Sequence, residues 1–132
     1  MIKSINIALS GLNAATNKLN ASASNIANFQ TTGTLNGEGQ QPFTPVTTQE
    51  TTADNGGVDS AIVSRQDPFV PAFDPDSPFA DENGIIGVPN VDLAEESVNL
   101  ILAELQYKAN IEVIQTASDL SDELLNVLDE EA

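Results

Sequence analysis

Apolar positions recur at helical spacing at both ends of this chain and lose that spacing in between. The first stripe runs Ile2, Ile5, Leu9, Leu12, Thr16, Leu19, Ala23, Ile26. The second runs Val98, Leu102, Leu105, Ala109, Val113, Ala117, Leu120, Leu124, Val127. Steps of three and four are the signature of a coiled-coil seam. The pattern predicts two long helices that pair with each other or with other copies. The fold class it suggests is mainly α, an antiparallel coiled coil of the terminal helices with a short extended or β-hairpin middle.

The first helix is expected over residues 3–28, roughly 39 Å long. From Ser4 to Asn28, 11 residues are Ser, Thr or Asn, which compete for backbone hydrogen bonds and weaken a helix. Gly11 inside it costs ~1 kcal/mol relative to Ala, which suggests close approach by another helix. Thr31-Thr32-Gly33 supplies the stop. Residues 34–57 are polar, rich in Thr, Gln and Gly, and read as a loop with a short hairpin as the competing reading. Residues 58–90 alternate weakly around prolines and read as extended chain or hairpin. Asn83-Gly84 marks a turn, and Ile85-Ile86-Gly87-Val88 is a candidate returning strand.

The second helix is expected to start at Asp92. Asp92-Leu93-Ala94-Glu95 has capping-box spacing, with Asp92 accepting from an early amide and Glu95 reaching back. Leu93, Leu100, Ile101, Ile111 and Ile114 widen its apolar surface beyond one face, so it needs neighbours on two sides. Residues 1–33, 34–57, 58–90 and 91–132 are the resulting segments, with the first and last forming one helical domain. Asp129-Glu130-Glu131 crowd the negative helix end, which predicts fraying in a free monomer.

Charge changes the picture in one respect. Residues 1–37 hold Lys3, Lys18 and no acid, a side-chain charge of +2. Residues 38–132 hold all 20 acids against Arg65 and Lys108, a charge of −18. Nucleic acid is excluded as a partner, since phosphate binding needs clustered bases. Direct membrane insertion is excluded as well, because no apolar run approaches the ~20 residues of a span. The plain reading of the acidity is solubility or a salty habitat, and the sharper one is a positive first helix packing beside the negative last one.

Candidate chemistry is sparse. The chain has neither His nor Cys, so imidazole catalysis, disulfides and thiolate metal sites are absent. The stretch 74–85 begins like an EF-hand loop with Asp74 and Asp76. Pro78, Phe79 and Ile85 then stand where a ligand, the turn Gly and the bidentate Glu belong, so the match fails. The reading is therefore no enzyme, no cofactor and no metal, with at most a weak cation site among Asp74, Asp76, Asp81 and Glu82.

The segment ALSGLNAATNKLNASASNIANFQTTG resembles the N-terminal signature of bacterial flagellar rod, hook and hook-associated axial proteins, at Ser10, Gly11, Leu12, Leu19, Ala23, Asn25, Ile26, Ala27, Asn28, Thr31 and Gly33. The run from Pro89 to Ala117, through PNVDL, VNLI and VIQTA, is similar to the rod members of that family. The resemblance covers about residues 2–33 and 58–128. Its middle departs, with Gln41-Pro42-Phe43-Thr44-Pro45 in place of a basic stretch.

The resemblance implies a structural subunit, exported through the flagellar type III apparatus without a cleaved signal peptide. It polymerises with copies of itself and other rod subunits into the periplasmic rod of the basal body. The residues expected to carry helix packing and assembly are Ile5, Leu9, Gly11, Leu12, Leu19, Asn25, Ile26 and Asn28 on the first helix. On the second they are Val98, Ile101, Leu105, Tyr107, Val113, Ile114, Leu120 and Leu124. The alternatives are another axial subunit of the family or a helical type III export chaperone.

Overall fold

Six elements follow one another in the computed structural model, which describes residues 1–37 and 39–130. They are α1 (Ile2–Asn28), β1 (Val46–Thr52), β2 (Val58–Ser64), β3 (Phe69–Phe73), β4 (Ile85–Pro89) and α2 (Leu93–Glu130). Glu131, part of the acidic end singled out above, lies outside the described residues, as does Glu38.

The helices run antiparallel. Asn25 near the end of α1 bonds Glu96 near the start of α2, and at the other end the Ser121 hydroxyl donates to the Met1 sulfur at 3.0 Å. Midway, a Cβ placed on Gly11 would stand 2.6 Å from Asn110 Nδ2 and 2.7 Å from its Cγ. No side chain other than hydrogen fits there without moving Asn110. Asp92 caps α2, its carboxylate accepting from the amides of Ala94 (2.8 Å) and Glu95 (3.2 Å). The reciprocal half of the expected capping box is not made, because the Glu95 carboxylate is taken by Arg65.

Two antiparallel hairpins fill the middle. β1 pairs β2 in the register Val46↔Ser64 to Thr52↔Val58, and β3 pairs β4 from Phe69↔Pro89 to Phe73↔Ile85. The polar-loop reading of residues 34–57 is corrected by this. Residues 46–52 form β1, and the boundary drawn at 57/58 cuts a hairpin at its turn. β1 was missed because most of it is exposed on both faces, so VTTQETT shows no alternation. The second hairpin turns where Asn83-Gly84 predicts, with Gly84 at φ +75° and Asp81 accepting from the amides of Asn83 and Ile85.

The Thr-Thr-Gly stop after α1 has a structural role beyond ending the helix. Gly33 and Gly87 exchange both backbone hydrogen bonds, at 3.1 and 2.8 Å. Gly87 thus directs its N–H and C=O away from Pro71, its register partner on β3, and a proline is tolerated there. Among the described residues, the buried apolar side chains besides Ile86 are small: Ala8, Ala14, Ala15, Ala21, Ala103 and Ala117, with Pro42, Pro45 and Pro89 in and beside the hairpins.

Candidate assembly surface

The seam between the helices is made of small and polar residues. α1 buries Ala8, Gly11, Ala14, Ala15, Ala21, Ser22 and Asn25. α2 buries Glu96, Ala103 and Ala117, with Asn99, Asn110 and Ser121 half-buried along the same side. Small side chains let the two backbones approach closely, and they leave the larger apolar residues turned elsewhere.

A second face of α1 holds the first hairpin by hydrogen bonds to its backbone. Ser10 Oγ accepts from the Val58 amide (3.0 Å) and donates to the Ile7 carbonyl (2.7 Å). Asn17 Nδ2 donates to the Ser60 carbonyl at 3.1 Å. Asn25, fully buried, donates to the Val46 carbonyl (2.8 Å) and accepts from the Val46 amide (2.9 Å), as a neighbouring strand would. Its amide group also donates to Glu96 Oε1 at 2.8 Å.

Among the described residues that carboxylate is the most deeply buried charge, 1% exposed. Arg65, just past β2, reaches it at 2.8 Å and Glu95 at 2.9 Å. Asn25, Glu96 and Arg65 therefore tie α1, α2 and the hairpin at one point. A buried carboxylate demands such compensation, since an unpaired one is strongly unfavourable. Lys18 sits 3.7 Å from Glu50 on β1. This corrects the expected charge pairing between helices: Lys18 serves the hairpin, and Lys3 makes no ion pair with α2 among the described residues.

The sixteen residues expected to pack the helices divide unequally. Gly11 and Asn25 are buried, and Ile5, Leu12, Ile26, Asn28 and Ile114 are half-buried. The other nine are exposed: Leu9, Leu19, Val98, Ile101, Leu105, Tyr107, Val113, Leu120 and Leu124. The stripes are real, but they are not the seam between the helices of one molecule. Leu19, Leu100, Ile101 and Tyr107 instead line an open apolar groove of about 460 Å³ beside Ala15, Ala103 and the stem of Lys108. Reading the sequence missed Asn17, Arg65 and Glu96, and it assigned no role to Ser10 and no strand-like role to Asn25. The available signal was the near-heptad recurrence of polar side chains at 10, 17 and 25 inside a helix.

Among the described residues, no three acidic side chains stand together as metal ligands. One Asp81 carboxylate oxygen is committed to the turn of the second hairpin. Among the described residues, no helix is long and apolar enough to cross a membrane.

Comparison with known proteins gives a consistent result. Residues 5–33 match the family described as "Flagella basal body rod protein", and residues 82–127 match "Flagellar basal body rod FlgEFG protein C-terminal". The chain is 36% identical over 126 residues to the "Flagellar basal-body rod protein FlgC" of Salmonella typhimurium strain LT2, covering 91% of this chain and 92% of that protein. It is 37% identical over 136 residues to the protein of that name from Buchnera aphidicola subsp. Acyrthosiphon pisum, covering 96% and 97%. The likeness to the Agrobacterium fabrum protein is 32% over 126 residues, covering 92% and 91%.

Proposed function

The chain belongs to the flagellar basal-body rod protein family, and from that premise we propose that it is a structural subunit of the rod that polymerises through its paired terminal helices. Its partners are copies of itself and other rod subunits. It reaches the periplasmic rod through the flagellar type III export apparatus, without a cleaved signal peptide. The Ser-, Thr- and Asn-rich α1 suits that route, because a helix of weak propensity orders only when packed.

The observation that carries this reading is the inversion of the helix pair. Small residues meet inside, and Leu9, Leu19, Ile101 and Leu105 face outward at 47%, 46%, 65% and 64% exposure. A soluble monomer rarely leaves such a row uncovered, and contiguous apolar rows mark interaction surfaces. In a tube of helix pairs they are what neighbouring subunits bury.

Leu105→Glu tests it. The side chain is exposed, so the monomer's helical content stays within a few per cent of wild type. In a strain carrying only the variant, we expect the protein to be exported but lost from purified basal bodies, with no motility. Normal recovery of Leu105→Glu in basal bodies, or absence of the wild-type chain from them, refutes the reading.

A further inference from the structure

The helix pair is uneven at its open end. Met1 lies beside Ser121, so α2 runs on for residues 122–130 with no α1 alongside, about 13 Å of helix. This overhang exposes Leu124, Leu125, Val127 and Leu128 at 50%, 60%, 48% and 56%. It carries Asp122, Glu123 and Asp129, and its last turn has no base to balance the negative end of the helix dipole.

The start of α1 has the opposite defect. No acid stands in its first turn, no side chain caps it, and Lys3 sits at the positive dipole end. Three of the four basic side chains have carboxylates: Lys18 has Glu50, Arg65 has Glu95 and Glu96, and Lys108 has Glu104. Lys3 alone has none within 4 Å among the described residues, in a chain with 20 acids; Asp119 and Asp122, on the facing stretch of α2, make no ion pair with it. Beside it Ile2 is 78% exposed, and Ile2, Ile5 and Leu9 form a row.

We propose that the α2 overhang of one copy docks antiparallel on the first turns of α1 of a second copy, with Leu124 and Val127 on the Ile2–Ile5–Leu9 row and Asp129 against Lys3. This rests on the rod-subunit reading and names one contact within it. The occupant is a second copy because each surface supplies what the other lacks, in charge, dipole sign and apolar row, and both belong to this chain. They do not meet within one molecule. The register of Met1 beside Ser121 and Gly11 beside Asn110 sets Lys3 opposite about residue 119, and Asp129 lies about 15 Å further along α2. Each copy offers one overhang and accepts one, so the contact is heterologous and propagates without closing into a dimer.

The full-length double variant Lys3→Cys with Asp129→Cys tests this in a chain that has no native cysteine. A disulfide needs Cα atoms about 4.4–6.8 Å apart, which excludes the intrachain bond at ~15 Å. Mild oxidation of the assembling protein is expected to give a reducible ladder of dimer, trimer and higher species. Each single variant should stop at dimer. Failure to ladder in a double variant that still co-purifies with basal bodies overturns this contact and leaves the rod reading standing.

If the double variant does not assemble, a charge-reversal series decides. Lys3→Glu should lower polymer yield severalfold at low salt, and adding Asp129→Lys should restore it; no restoration overturns the proposal.

Discussion

Replacing Asn25 by Ala removes the side chain that joins three elements. In the native fold its amide satisfies both backbone groups of Val46, at 2.8 and 2.9 Å, and one oxygen of the buried Glu96, at 2.8 Å. A neutral hydrogen bond contributes about 1 kcal/mol net, and one to a charged group about 1.5–3 kcal/mol. Three bonds therefore total roughly 3.5–5 kcal/mol. Val46 is only half-buried, so water recovers part of what its backbone loses. A net loss of about 3–4 kcal/mol follows, a large fraction of the 5–15 kcal/mol that holds a typical domain. With a urea slope of about 1–3 kcal/mol/M, the unfolding midpoint falls by roughly 1–4 M.

Asn17→Ala is the internal standard. It deletes a single bond, 3.1 Å to the Ser60 carbonyl, and should cost about 1 kcal/mol. Urea melts followed by circular dichroism give both numbers, and hydrogen exchange at the Val46 amide reports whether β1 detaches. The reasoning fails if Asn25→Ala costs no more than Asn17→Ala, or if the Val46 amide keeps its protection.

Two further outcomes follow from the helix pair. Gly11→Ala alone sets a new Cβ against Asn110, while in an Asn110→Ala background the same change should stabilise by up to about 1 kcal/mol through helix propensity; a thermal-melt cycle that shows no such coupling contradicts the close contact. The hydrogen bond from Lys108, then its charge, holds the exposed Glu104 carboxyl below its ordinary value, so the pair's contribution is present above the ordinary carboxylate range and fades as pH falls through the lowered value. Lys108→Met should bring the Glu104 titration, followed by carboxyl NMR, back up to the usual range.

Both helices were legible because their apolar residues recur every three to four positions and Asp92 announces the start of the second. Periodicity identifies which residues share a face, however, and not what that face meets. The stripe through Leu9, Leu19, Leu105 and Leu120 was read as a seam because large aliphatic side chains usually go inside. The buried face is built of Ala8, Gly11, Ala15, Ser22 and Asn25, which carry little hydropathy signal. Glu96 was hidden for a related reason. A carboxylate in the first turn of a helix has a sufficient local explanation in the dipole, and only the fold shows Arg65 and Asn25 converging on it.

The family resemblance located Ser10, Gly11, Asn25 and Asn28 without saying what they do. Ser10, accepting from the Val58 amide, and Asn25, donating to and accepting from Val46, bind the backbone of the first hairpin, which supplies that role for two of them.

The surface area makes the same point as the exposed stripes. A compact protein of 13.9 kDa exposes about 6,700 Å² by the usual scaling. This chain exposes 8563 Å², an excess of roughly 1,900 Å². A standard interface covers about 800 Å² on each partner, so the excess equals about two such faces. One standard interface does not account for it, whereas a subunit flanked on at least two sides does. Among the described residues, Ile86 is the one large aliphatic side chain that is buried, and the other buried apolar residues are alanines and prolines. Area that a globular domain would bury within itself is thus deferred to the polymer. The helix pair is held in register by Asn25, Glu96, Arg65 and Asn110, which specify geometry, while its larger apolar side chains stay exposed, where the proposed rod assembly would bury them. On this division of labour, subunit order and tube formation rise together, because the same burial drives both.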